Sequence, residues 1–79
     1  MMSFDDGNDR LVYKLLDVIH ETAAGARLHV EDAGGNDVIE WFPKSQVDYG
    51  NIDMHDEEVV ILRWIALDKG LGKPLREMT

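Results

Sequence analysis

Residues 24–31, AGARLHVE, alternate without a break: Ala26, Leu28 and Val30 fall on one side, and Arg27, His29 and Glu31 on the other. A period of two is the mark of a strand buried on one face. Asp32-Ala33-Gly34-Gly35-Asn36 follows, a run that tolerates positive φ, and then Asp37 to Phe42, DVIEWF, which is rich in β-branched and aromatic residues. Strand, turn and strand in this order predict an antiparallel hairpin. Pro43 ends it, because a residue without a backbone N–H cannot continue a central ladder. Whatever else the chain forms must cover the apolar side of this hairpin.

The rest of the sequence supplies that cover. Residues 57–62, EEVVIL, form the most strand-like run and pass directly into 63–69, RWIALDK, where Trp64, Ile65 and Leu67 with a following Gly70 suit two helical turns and a glycine cap. Residues 10–22, RLVYKLLDVIHET, carry two competing periods. Leu11, Val12, Leu15, Leu16 and Ile19 fit one helical face, whereas the β-branched Val12, Val18 and Ile19 and the aromatic Tyr13 favour a strand. Lys44 to Val47 is expected to leave the hairpin in an extended or turning path, and Asp48 to Asp56 to be loop. The expected fold class is α+β: a small antiparallel sheet of three to four strands, near 12–20, 25–31, 37–42 and 57–62, with one short C-terminal helix packed on one face. Residues 1–9 read as a mobile acidic N-terminus, 10–71 as a single α+β domain and 72–79 as a tail.

With 79 residues and no cysteine, the core is thin and has no disulfide staple, thiolate metal site or Cys nucleophile. The longest apolar runs, Val59–Leu62 and Trp64–Leu67, are four residues each, far short of the ~20 that span a bilayer. No basic segment precedes an apolar one near Met1, so no signal peptide is expected and the expected location is the cytoplasm. His20, His29 and His55 match no compact ligand spacing, and the acids of 53–58 lack the calcium-loop pattern, so no metal or other cofactor is expected. Ser3 and Ser45 are the only serines, and a core this small leaves little room for a water-excluding pocket. The chain is expected not to be an enzyme. Trp41 and Trp64 are assigned to the core by default, but an alternating strand cannot bury both Trp41 and Phe42 on one face. One of these two is therefore covered by the helix or open to a partner as an aromatic hot spot rimmed by acids.

Charge carries the main functional signal. Sixteen acids against eight bases give a formal net charge of −8. Residues 1–62 hold 14 acids and 4 bases, while 63–79 hold 2 acids and 4 bases. Direct nucleic-acid binding needs the opposite sign, whereas an anionic surface is steered toward basic partners, a class dominated by nucleic-acid-binding proteins. The candidate partner-binding residues are Asp17, Glu21, Glu31, Asp32, Asp37, Glu40, Asp48, Asp53, Asp56, Glu57 and Glu58. A monomer is expected before a dimer, although exposed edge strands could pair two copies unless charges block them.

At Glu21-Thr22, at Ala26–Val30, at Trp41-x-Pro43-Lys44-Ser45-Gln46-Val47 and at Trp64-Ile65-Ala66-x-x-Lys69-Gly70-Leu71, covering about residues 13–71, the chain resembles a group of small proteins of phage and prophage genomes. The resemblance implies that residues 12–20 form a strand. The chain departs from the group at Phe42, where a smaller aliphatic residue is usual, and in its acidic loop from Asp48 to Glu58. In size and acidity it also resembles anti-CRISPR inhibitors of type I systems, the I-C subclass among them. That resemblance implies a location in the host bacterial cell and a partner, the type I surveillance complex Cascade, whose DNA-binding surface the acids would block. The alternative expectation is a phage or prophage interaction module that recognises a replication or other host protein through Trp41–Val47.

Overall fold

The computed structural model describes residues 9–49 and 58–78. Its elements, in chain order, are β1 (Arg10–Glu21), β2 (Gly25–Glu31), β3 (Asp37–Pro43), a 3-10 turn (Lys44–Gln46), β4 (Val47–Tyr49), β5 (Glu58–Leu62), α1 (Arg63–Asp68) and β6 (Arg76–Glu77). All strands join one antiparallel sheet in the order β3-β2-β1-β5-β4, with β6 paired to β1 beside the start of that strand. The small antiparallel sheet with one short helix is therefore present, with six strands where three to four are expected.

The hairpin of β2 and β3 pairs in continuous register from Gly25 opposite Pro43 to Glu31 opposite Asp37. Its turn closes on Gly35, whose φ of +88° is a conformation that only glycine adopts without strain. In β1 the competing periods have a structural cause. The register with β2 skips at Leu16 and again at Ile19, so each is an extra residue on the β1 side. Bulges of this kind bend a strand and offset its alternation, which gives a strand a partly helical hydrophobic spacing.

The bend has a purpose in the topology. In a flat sheet the outer strands of five would stand about 19 Å apart. Here the outer strands β3 and β4 are joined only by the turn Lys44–Gln46, and Pro43 to Val47 reaches at most about 14 Å even when extended. The sheet must curl. The curl brings the Tyr49 hydroxyl of β4 within hydrogen-bond reach of the Glu21 carboxylate at the far end of β1.

The inner side of the curl holds the core. Leu11, Tyr13 and Leu15 of β1, Ala26, Leu28 and Val30 of β2, Phe42 of β3, and Val59 and Ile61 of β5 pack together with Ile65 and Ala66 of α1 and with Leu71. Helical spacing turns Ile65 and Ala66 inward, and Trp64 then points away at 49% exposure. Trp41 is 44% exposed while its neighbour Phe42 is 1% exposed. The assignment of both tryptophans to the core is therefore corrected: the phenylalanine takes the inner position on β3, and α1 spends its inward face on two smaller residues. Gly70, with φ +85°, ends the helix and returns the chain.

Two further expectations are corrected. Asp48 and Tyr49 belong to β4 rather than to a loop, with Asp48 opposite Val60 and Tyr49 opposite Val59. Residues 72–78 do not trail freely. The Tyr13 hydroxyl donates to the Gly72 carbonyl at 2.8 Å, the Ala33 amide to Lys73, the Leu75 amide to Val12 and the Met78 amide to Arg10. The physical reason is the uncovered start of β1: β2 pairs only from Lys14 onward, and β6 takes the same edge at Leu11 and Val12.

Candidate protein-binding face

The eleven acids singled out in the sequence do not form one surface. Asp32 is 4% exposed and turned inward. Its Oδ1 accepts from the Gly34 and Asn36 amides at 2.9 and 3.0 Å, and its Oδ2 from the Gly72 amide at 2.9 Å. Burial pushes its pKa up, but the three amide donors outweigh that and hold it below the ordinary aspartate value. Its role is to staple the β2–β3 turn to the C-terminal segment, so its charge is not on display. Glu21 accepts from the Tyr49 hydroxyl and lies 3.7 Å from Lys44, and both partners lower its pKa, Tyr49 first. Asp37 accepts a 2.6 Å hydrogen bond from His29. Glu58 takes a two-pronged grip from Arg76 at 2.7 and 2.8 Å. Asp53, Asp56 and Glu57 lie outside the described residues.

Asp17, Glu31, Glu40 and Asp48 remain, and they make no ion pair with another described residue. Register keeps Asp17 and Glu31 near each other and places Glu40 and Asp48 apart from them. Asp17 is opposite His29 and Glu31 opposite Lys14, both on the outer face; Glu40 is opposite Leu28 on the rim of β3; Asp48 is opposite Val60 near the other edge. The described residues hold eleven acids against all eight bases of the chain, a balance of −3. The other five acids, Asp5, Asp6, Asp53, Asp56 and Glu57, belong to residues 1–8 and 50–57, which carry no base.

The outer face of the hairpin does have a definite character. Because side chains alternate, the pairs Arg27–Trp41, His29–Ile39 and Glu31–Asp37 all stand on the side opposite the core, with His20 and Asp17 of β1 beside them. The Trp41 ring meets the His20 ring edge to face, with centroids 5.8 Å apart and planes at 81°. That contact fixes the indole while leaving much of it open. Ile39, two residues earlier on the same face, is 45% exposed. An exposed tryptophan and isoleucine between Arg27, His29, Asp17, Glu31 and Asp37 make an apolar centre with a mixed, hydrogen-bonding rim, the composition of a protein interface hot spot.

The exposure of Trp41 was one of two outcomes that alternation left open, and the structure takes it. Ile39 was missed, although its signal was present: positions 37, 39 and 41 share a face in any strand. Among the described residues no group of three or more His, Asp or Glu side chains is placed to hold a metal ion, and no helix is long and apolar enough to cross a membrane. No family model, no curated protein and no solved structure matches the chain.

Proposed function

We propose that the protein acts by stoichiometric binding: it docks on a basic nucleic-acid-binding protein and blocks that partner's access to nucleic acid. The partner class implied by the sequence resemblance is a type I CRISPR surveillance complex. The observation that carries the binding reading is the outer face of the hairpin, where Trp41 and Ile39 stand exposed on a rigid sheet within reach of Asp17, Glu31 and Asp37. A tryptophan held by an edge contact loses little freedom on docking, so most of its buried area contributes to affinity. The net charge of −8 adds long-range attraction to a basic partner.

The scattering of the paired and buried acids argues against a single continuous phosphate-like surface. In this reading Trp41 is the anchor and the unpaired acids are its electrostatic support. A second reading, recognition of a phage or host replication protein through Trp41–Val47, draws on the same exposed Trp41.

The test is displacement of DNA from the surveillance complex by increasing amounts of protein, followed by gel shift. Trp41→Ala is expected to weaken inhibition about 30-fold, equivalent to about 2 kcal/mol for a central aromatic anchor. Reversal of Asp17, Glu31, Glu40 and Asp48 to lysine is expected to weaken it further and to reduce its salt dependence. If wild-type protein leaves DNA binding untouched while a replication protein is retained in a Trp41-dependent manner, the second reading replaces the first. Unchanged inhibition by Trp41→Ala with intact circular dichroism would defeat the anchor.

A further inference from the structure

On the far side of β1 the outer face carries a second feature, a hollow of about 240 Å³ lined by Arg10, Ser45, Gln46, Val47, Asp48, Val60, Leu62 and Met78. Its construction follows from register. Arg10 is opposite Leu62 and Asp48 opposite Val60, so alternation puts all four on one face. The Met78 amide donates to the Arg10 carbonyl, which brings Met78 to the same rim. Val60 and Leu62 form the floor, and the 3-10 turn adds Ser45 and Gln46, whose side-chain amide donates to the Ser45 hydroxyl at 3.3 Å. The W-x-P-K-S-Q segment thus has its aromatic end on the docking face and its Ser-Gln end here.

The two charged walls are opposite in sign and do not meet. Arg10 has no ion pair with another described residue, nor has Asp48. They stand on β1 and β4 with β5 between them and are offset by two residues along it, Arg10 at Leu62 and Asp48 at Val60, a diagonal backbone separation of about 12 Å. That gap suits a ligand that presents a carboxylate to Arg10 and an ammonium group to Asp48, since both charges are then matched at once. The floor between them is apolar. A ligand that carries both charges on one carbon and an aliphatic side chain on the same carbon meets all three requirements. The volume accommodates one such molecule of leucine or valine size.

We infer that the hollow bounded by Arg10 and Asp48 is a binding site for a free aliphatic α-amino acid, held by its carboxylate, its ammonium group and its side chain. The site lies across β1 from Trp41 and shares only Asp48 with the acids that support docking, and it does not depend on the identity of the docking partner.

The experiment is an amide NMR titration of the full chain with L-leucine, with 4-methylpentanoate, which lacks the ammonium group, and with isopentylamine, which lacks the carboxylate. The expected result is saturable shifts at residues 46–48, 60–62 and 10 with leucine, and binding at least about tenfold weaker for each singly charged probe, the loss of one charge-assisted contact. Arg10→Gln is expected to abolish the preference for leucine over isopentylamine, and Asp48→Asn the preference for leucine over 4-methylpentanoate. Both residues are exposed, so the variants keep the fold, checked by unchanged shifts at the core residues. Shifts that rise linearly without saturation, or equal binding of all three probes, would overturn the assignment.

Discussion

Replacing Asp32 by asparagine removes one tie and leaves two, and the structure says which. Oδ1 holds the Gly34 and Asn36 amides and Oδ2 holds the Gly72 amide. An asparagine that keeps its oxygen at the Oδ1 position preserves the turn, but its Nδ2 then faces the Gly72 N–H, donor against donor. Rotating the amide satisfies Gly72 and sacrifices the other two. The cheaper choice loses one charge-assisted hydrogen bond in a buried site, about 2–3 kcal/mol. A domain of this length is stable by only about 4–12 kcal/mol, and each kcal/mol moves its midpoint by about 4–8 °C. Asp32→Asn is therefore expected to lower the melting temperature by about 10–20 °C, and Asp32→Ala, which loses all three bonds, by more. Urea unfolding followed by tryptophan fluorescence measures both, and hydrogen exchange at Gly72 reports where the tie was lost. The carboxyl pKa is depressed in the folded state, so its stabilisation is present above the unfolded value near 4 and is lost as pH falls through the folded value. The gap between wild type and Asp32→Asn should narrow on acidification below about pH 4. An asparagine variant within about 0.5 kcal/mol of wild type, the range of an ordinary surface change, would refute the staple.

Three more outcomes follow from the same geometry. Phe42→Ala is expected to cost about 3–5 kcal/mol, a large share of the stability of a domain this size, while Trp41→Ala costs less than about 1 kcal/mol, as thermal melts will show. Gly72→Ala places a Cβ 2.8 Å from Asp32 Oδ2, so it should destabilise to a degree that disappears in the Asp32→Ala background, a coupling read by a double-mutant cycle. Burial, and then the hydrogen bond to Glu21, push the Tyr49 hydroxyl up to about 12, so tyrosinate absorbance from this residue should appear only near that pH. The raised value means a contribution present below pH ~10 and lost as pH rises toward 12, and Glu21→Gln should move the ionisation back down.

The hairpin was legible because its information is local: three inward apolar residues at period two, a glycine turn and a terminating proline. Strand β5 and helix α1 were legible for the same reason. Strand β6 was not, because Arg76 and Glu77 have no strand-like pattern and pair only where β2 has ended and left Leu11 and Val12 open. Strand β4 was hidden similarly: three residues after a 3-10 turn become a strand only when the sheet curls far enough to present β5. The candidate face was half legible. Alternation required one of Trp41 and Phe42 to face out, but which one depended on the small Ala26 opposite Phe42, whose side chain leaves room for the ring inside. The acids misled most, since composition counts charges and cannot show that Asp32 accepts three amides or that Arg76 crosses β1 to Glu58.

That last point changes what the acidity can do. If five of the acids lie in residues 1–8 and 50–57 and the sheet itself is nearly balanced, attraction and attachment are carried by different parts of the chain. Attraction acts at a distance and sets the rate of encounter, whereas the desolvated anchor sets the lifetime of the complex. Raising salt from about 0.05 to 0.5 M shortens the Debye length from roughly 14 to 4 Å, and it should slow association with a basic partner by an order of magnitude or more with little change in dissociation. Neutralising Asp53, Asp56 and Glu57 to Asn and Gln should reproduce the slower association at low salt. Trp41→Ala should do the reverse, with unchanged association and dissociation faster by about 30-fold. Surface plasmon resonance separates the two rates. A Trp41 variant that slows association and leaves dissociation alone would place the anchor elsewhere, and acids that govern dissociation would return the contact to a charged surface.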